Sequence, residues 1–360
     1  ILWSNLLGFI LGVRHVQGPL DPQKIRSILF IRNDAIGDMV LTTPVWRAIR
    51  KQFPTIHIGV AASFRNRPIL DYDPYVDQVF DATAGDWEAI WKARKEASSE
   101  QWDVVMPLIY QDITKIAILC RVLAPGAIST MLLKPGENAA LRGKIFSMIV
   151  PSPYRTEEIE MIEQMRVHLM GVLKMEVPDE EWKPFLYPEE EAVRRVNHRI
   201  KEILNRNGTS HYIHLNLEAK MEFREYGIPN SFELSKKLTE SFPHTTVFWT
   251  ASQHIASKTL AFLDQNDSNR IHYFPTESLH ELIALVQSAV LVISPDTSII
   301  HIASAFKRPV VGLYVMRREW PPYKTPYRLL LSGKDNPVSS IPVEDVMDAV
   351  RDLLPNATDQ

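Results

Sequence analysis

The chain has 360 residues, 45% hydrophobic and 23% charged, which is more than one core usually organises, so two domains are expected. A formal net charge of −3 excludes a global electrostatic pull toward nucleic acid; an anionic partner would have to meet local clusters drawn from the 40 Lys and Arg. The single cysteine, Cys120, excludes disulfides within the chain and cysteine metal sites, and a reducing, cytoplasmic setting fits best.

The opening stretch ILWSNLLGFILGVRHV is apolar but too short to span a bilayer, and it lacks the basic leader and small-residue cleavage site of a signal peptide. Two readings stand. One is an interfacial helix with Trp3, Leu7 and Ile10 toward lipid, giving a peripheral membrane contact through residues 1–16; the other is a segment packed on its own protein. With no initiator Met, the chain is expected to begin after its native start.

Further along, SILFIR is a short β-rich run, and TPVWRAIRKQF follows with apolar residues at helical spacing and Pro44 placed for a first turn. IHIGVAA, DQVFDA and DVVMPLI read as strands, TKIAILCRVL as a helix, and EEIEMIEQMRVHLMGVL as a long amphipathic helix. The proline-bearing, acidic KMEVPDEEWKPFLYPEEEAV reads as an interdomain connection and hinge. A second alternating series follows. HYIHLNL, TVFWTA, RIHYF, AVLVISPD and PVVGLYV are strand candidates, separated by the helical SFELSKKLTESF, IASKTLAFLDQ and SLHELIALVQ and closed by PVEDVMDAVRDLL. The fold class expected is α/β, with two doubly wound, Rossmann-like domains facing a cleft. The boundaries are an N-terminal apolar segment over 1–24, a first domain over 25–182, a linker over 183–208 and a second domain over 209–360.

Ligands of open parallel sheets sit beyond the carboxyl ends of strands, which directs attention to two strand-to-helix turns. In RNDAIGDMVLTTP, Gly37 permits close backbone approach and Asp38 places a carboxylate at a helix start, where it could serve chemistry or simply cap the helix. Asp34 in the same turn has the character of a turn-former. In LVISPDTSIIHIASAFKRPVVGLY, Asp296, Thr297 and Ser298 would present oxygens and backbone N–H groups at a helix start suited to a diphosphate, with His301 one turn on. No Walker or Gly-x-Gly-x-x-Gly fingerprint appears, no nucleophile elbow, and no metal-ligand spacing among the 11 His.

With RNDAIGDMVLTTP, DPYVDQVFD, WDVVMPL and SPDTSIIHIASAFKRPVVGLY in this order, the chain from about Ile25 to Leu354 resembles the bacterial heptosyltransferase family of lipopolysaccharide biosynthesis, inverting glycosyltransferases of the GT-B fold. The resemblance implies that Asp38 is the catalytic base, with Gly37 beside it. It implies that Asp296, Thr297, Ser298 and His301 hold the donor diphosphate and heptose, Ser298 standing where the family usually has glycine. A basic residue after the first strand of the second domain neutralises phosphate in the family. Here that falls to Lys220 or Arg224, and the fork of a guanidinium favours Arg224. Where many relatives carry a ribose-binding carboxylate, this chain has Gln253 and His254, leaving Gln253 to hold the ribose.

Acceptor contacts are expected in the first domain from Arg65 and Arg67, with Lys134, Arg142 and Lys144 as further cations for carboxylates or phosphates of an inner-core saccharide. The implied partners are a nucleotide-sugar donor, ADP-heptose by resemblance, and a lipopolysaccharide inner-core or other glycan acceptor, with no nucleic acid. Transfer is expected to need neither metal nor cofactor, at the inner face of the cytoplasmic membrane. A transferase using another nucleotide sugar, and a catalytically silent nucleotide-sugar-binding protein, are the alternatives.

Overall fold

A computed structural model describes residues 12–155, 158–266, 269–316 and 320–354. The chain divides into two compact units, Ile1–Phe185 and Leu186–Gln360. Trp3, Leu7 and Ile10 lie outside the described residues, and among those described no helix is long and apolar enough to cross a membrane.

The first unit runs β1 (Ser27–Arg32), α1 (Ile36–Gln52), β2 (His57–Ala62), β3 (Gln78–Asp81), α2 (Trp87–Ala97), β4 (Val104–Pro107), α3 (Ile113–Leu123), β5 (Ile128–Leu133), α4 (Ala139–Ile145), β6 (Met148–Pro151) and α5 (Met161–Val172). Its six strands lie in the order β3-β2-β1-β4-β5-β6, each pair parallel. Every residue of β1 and β4 is buried, as expected of central parallel strands covered on both faces. Strand order reverses direction between β1 and β4, which makes the ends of those two strands the switch point of the sheet.

α1 begins at Ile36, earlier than the sequence suggests, so Pro44 sits in mid-helix rather than in a first turn. A proline there removes the N–H that would bond the carbonyl of Val40, and the neighbouring Thr43 hydroxyl donates to that carbonyl instead, at 2.9 Å. The helix therefore tolerates Pro44 and keeps its start directly against the end of β1.

The second unit runs α6 (Glu190–Asn207), β7 (His211–Asn216), α7 (Ile228–Ser241), β8 (Thr245–Thr250), α8 (Gln253–Gln265), β9 (Ile271–Tyr273), α9 (Leu279–Ser288), β10 (Leu291–Pro295), α10 (Ser298–Ala305), β11 (Val310–Tyr314), β12 (Tyr327–Leu331) and α11 (Val343–Leu353). The strand order β12-β11-β10-β7-β8-β9 is again wholly parallel, with the reversal between β7 and β10. Ile213, Leu215, Val247, Trp249, Ile293 and Val311 meet Leu234, Leu238 and Val346 in one core beneath this sheet. His214 is buried within β7, its Nε2 at 2.8 Å from the Thr250 hydroxyl, and burial pulls its pKa down to about 3, so it is a neutral core group.

The expected linker over 183–208 is corrected by α6, which fills most of it and belongs to the second unit. Ala192, Val196 and Ile200 recur every fourth residue and bury one stripe, and Gly208 ends the helix in the left-handed conformation at φ 64°. The prolines and acids upstream obscure that periodicity when the stretch is scanned for breakers.

Candidate active site

At the first switch point Arg32 ends β1 with its side chain only 1% exposed. Its Nε lies 3.3 Å from Asp34 Oδ1 and its Nη2 2.9 Å from Asp38 Oδ1, while Nη1 donates to the carbonyl of Leu108 at the end of β4. A guanidinium out of water is costly unless paired, and two carboxylates plus a carbonyl offset that cost. Asp38 sits in the first turn of α1, where the helix dipole favours a carboxylate, and part of its side chain remains open to solvent. Gly37 is a buried helical residue outside the left-handed region, so the turn does not need it for φ; what it contributes is the absence of a side chain beside Asp38.

Asp34 differs from Asp38. Burial pushes its carboxyl up to about 6, against the pull of Arg32 and with the push of the Asp38 charge. Its backbone is fastened from the loop after β2: the buried Asn66 donates its amide to the carbonyl of Arg32 at 2.9 Å and of Asp34 at 3.4 Å. Arg65 and Arg67, flanking Asn66 beyond β2, are both exposed, with the Arg65 guanidinium 5.4 Å from the Phe64 ring centroid. Lys134 and Arg142 are buried rather than solvated, and Lys144 is half-buried. The Lys134 ammonium lies 5.6 Å from the Tyr110 ring centroid, a cation–π contact.

At the second switch point β10 delivers Ser294, Pro295 and Asp296 to α10. Thr297 is the N-cap, its hydroxyl accepting from Ile299 N at 3.4 Å. From β7, the Asn216 amide donates to Ser294 Oγ at 3.1 Å and Thr297 Oγ1 at 3.3 Å, and these two hydroxyls lie 3.0 Å apart. The network ties the ends of β7 and β10 together and fixes the start of α10. Ser298 is the first residue of α10 and does not have positive φ, so serine in place of the family's glycine introduces no backbone strain. His301 is buried one turn further.

Of the two candidate cations, Arg224 reaches this turn, with Nη1 3.6 Å from Asp296 Oδ2, whereas Lys220 is exposed. The Gln253 side chain lies outside the described residues. A carboxylate nonetheless stands at the turn after β8: Glu218, from beyond β7, accepts from the Ser252 backbone N–H and, at 2.7 Å, from the Ser252 hydroxyl. His254 Nδ1 is 3.4 Å from it. Sequence reasoning passed over Arg32, Asn66, Asn216 and Glu218. The signal available for Arg32 and Asn216 was a polar residue closing an apolar strand, SILFIR and HYIHLN.

The model of glycosyltransferase family 9 (heptosyltransferase) matches residues 90–347. Lipopolysaccharide heptosyltransferase 1 of Campylobacter coli is 23% identical over 355 residues, covering 91% of this chain and 99% of that relative. Among solved structures, the glycosyl transferase family 9 protein of Veillonella parvula is similar with a TM-score of 0.74 and 17% identity, over 95% of this chain and 100% of that one. ADP-heptose lps heptosyltransferase II of E. coli is similar with a TM-score of 0.69 and 18% identity, over 92% of this chain and 99% of that one. The likeness is one of fold, and the fold is GT-B.

Proposed function

The chain belongs to glycosyltransferase family 9, the heptosyltransferases, and on that premise we propose that this glycosyltransferase moves a heptose from ADP-heptose to a lipopolysaccharide-core or related glycan acceptor, inverting the anomeric carbon. The observation that carries the chemistry is Asp38, a partly open carboxylate held 2.9 Å from a buried guanidinium at the switch point of the first sheet. Asp38 accepts the proton of the acceptor hydroxyl as that oxygen forms its bond to the anomeric carbon. The bond from the anomeric carbon to phosphate breaks on the opposite face, and its electron pair leaves on the diphosphate. Arg32 is a positioning residue, since it orients Asp38 without meeting substrate.

The leaving diphosphate is received by the first-turn amides of α10 and by Arg224, with Asp296, Thr297, Ser298 and His301 around the phosphates and heptose. Lys220 is the reserve cation. The ribose contact that relatives make after the second strand is assigned to Glu218, because Glu218 places its carboxylate at that turn, with Gln253 kept as the further ribose ligand that the sequence implies. Arg65 and Arg67 meet the acceptor from the loop after β2, and Gly37 leaves room for it at Asp38. ADP-heptose as donor is favoured by the family and by the E. coli relative whose description names it.

The test is to incubate the protein with ADP-heptose and a panel of other nucleotide sugars, with and without a truncated lipopolysaccharide acceptor, and to follow nucleoside diphosphate release. Acceptor-dependent release from ADP-heptose is expected. Release from a different donor alone would reassign the donor, and a nucleotide-induced rise in melting temperature without any release would reduce the protein to a binder.

A further inference from the structure

Away from the two strand-end turns, the most exposed large hydrophobic side chains among the described residues are Trp87 and Trp91, at 65% and 62%. Both stand on α2, four residues apart and therefore on one side of the helix. The same helix buries Ile90, Ala93 and Ala97, so its inward stripe is complete without them. A single hydrophobic side chain on a surface is ordinary, but two indoles on one stripe form a patch whose apolar area folding has not removed from water.

The charges of α2 are sorted by side. Arg94 and Lys95 continue the tryptophan stripe, three and four places beyond Trp91, and the Arg94 guanidinium lies 5.9 Å from the Trp91 ring centroid. Glu88 and Glu96 fall on the neighbouring stripe, with Lys92 four residues from each. Arg94 also donates through Nη1 to the carbonyl of Val122, near the end of α3. Both helices follow strands of one parallel sheet and return against them, so they run side by side, and one turn ahead of that bond Trp91 stands level with the exposed Ile118. Next to Val122, Arg121 donates its Nη2 to the carbonyl of Gly12 at 2.8 Å. The chain thus enters the described structure at this face, and the eleven residues before Gly12, ILWSNLLGFIL, include no charged side chain.

We propose that the α2–α3 face docks on an anionic lipid bilayer, with Trp87, Trp91 and Ile118 at the headgroup boundary and Arg94 and Lys95 meeting lipid phosphates. An indole suits that depth because its ring is apolar and its N–H polar. The sorting of charge matches an anionic surface, since the cations accompany the indoles and the carboxylates lie to one side. The sequence attached at the same face brings no charge that would oppose the contact. This is a second surface, carried by two helices of the first unit, beside the contact expected of residues 1–16. α2 opens at the carboxyl end of β3 as α1 does at that of β1, so Trp87 stands at the same edge of the sheet as Asp38. That a lipid-linked acceptor is thereby presented to Asp38 rests on the proposed heptosyl transfer; the docking does not.

The experiment is co-sedimentation of the full chain with vesicles of phosphatidylcholine alone and of phosphatidylcholine and phosphatidylglycerol in equal parts. Preferential binding to the mixed vesicles is expected, weakening as salt is raised. Trp87→Ala combined with Trp91→Ala should lower the partition coefficient about tenfold or more, the size of withdrawing two indoles from an apolar boundary, with the melting temperature unchanged because neither side chain is buried. Lys95→Gln, on the tryptophan stripe, should lower it about fivefold, and Lys92→Gln, between the two carboxylates, by less than about twofold. No binding to the mixed vesicles, equal binding to both kinds, a partition unmoved in the double variant, or a larger loss in Lys92→Gln than in Lys95→Gln would each overturn the docking face. Tryptophan-dependent binding by a protein that transfers no sugar would retain the face while removing the transfer reading.

Discussion

The β1–α1 turn and the β10–α10 turn both flank the switch points of their sheets, β1 as the first strand of its sheet and β10 as the fourth of the other, and both deliver the chain straight into a helix. In the first, an acidic residue, Asp38, occupies the opening turn of the helix itself, and a guanidinium buried beneath it holds that carboxylate and Asp34. In the second, the opening turn carries no acidic residue; hydroxyls and an amide brace it, and Asp296 stands just outside, paired with Arg224. One backbone device thus serves opposite ends. Where the protein fills the positive helix end with its own carboxylate, that group is the one proposed as base; where it does not, the end is the one proposed for a ligand's anion.

The sharpest way to break this contrast is Asp38→Asn, which keeps the shape of the first turn and removes the proposed base. Turnover should fall by about 10²-fold or more, in line with general-base magnitudes, while nucleotide-induced thermal stabilisation stays. Near-native turnover would refute the assignment. The second turn answers to Arg224→Met, where loss of the proposed charged contact to the diphosphate should weaken the donor about tenfold, read as donor KM. Lys220→Met in parallel should change donor KM by less than about twofold, since an exposed charge contributes little. The reverse ranking would move the phosphate contact to Lys220.

Asp34→Asn reads stability instead of turnover, and the size of its effect depends on pH. The folded carboxyl titrates near 6 against an ordinary 3.8, so its contribution to stability is full below about 3.8 and is lost as pH rises through about 6. The Asn variant lacks that loss. It should melt close to wild type near pH 4 and above wild type at pH 7.5, checked by thermal denaturation at the two values. A gap of constant size across the range would mean that Asp34 is not held above its ordinary pKa.

Much of the architecture was legible because parallel strands buried on both faces are runs of apolar residues, as in SILFIR and HYIHLN. β12, only partly buried along its length, offers no such run of core residues. The α6 stripe of Ala192, Val196 and Ile200 was present in the sequence but lay behind prolines that argue for a linker. The site was legible where one segment carries it, as with Gly37–Asp38 and Asp296–His301. It was not legible where a partner lies far along the chain: Asn66 is 34 residues from the Arg32 carbonyl it holds, and Glu218 is 34 residues from the Ser252 it meets.

By itself, then, the order of residues determined that two parallel sheets form and that their strand ends carry a carboxylate in one case and a hydroxyl-capped helix in the other, because periodicity, caps and turns are local properties of the chain. Only the tertiary structure decided which charges are paired. The Arg32 guanidinium, closing an apolar strand, becomes the anchor of Asp34 and Asp38 once β4 and α1 close over it. Arg142, one cation among 40 in the sequence, becomes a buried guanidinium paired with Glu137. The physical reason is desolvation: a charge acquires its value from what surrounds it, and folding brings those surroundings from distant parts of the chain.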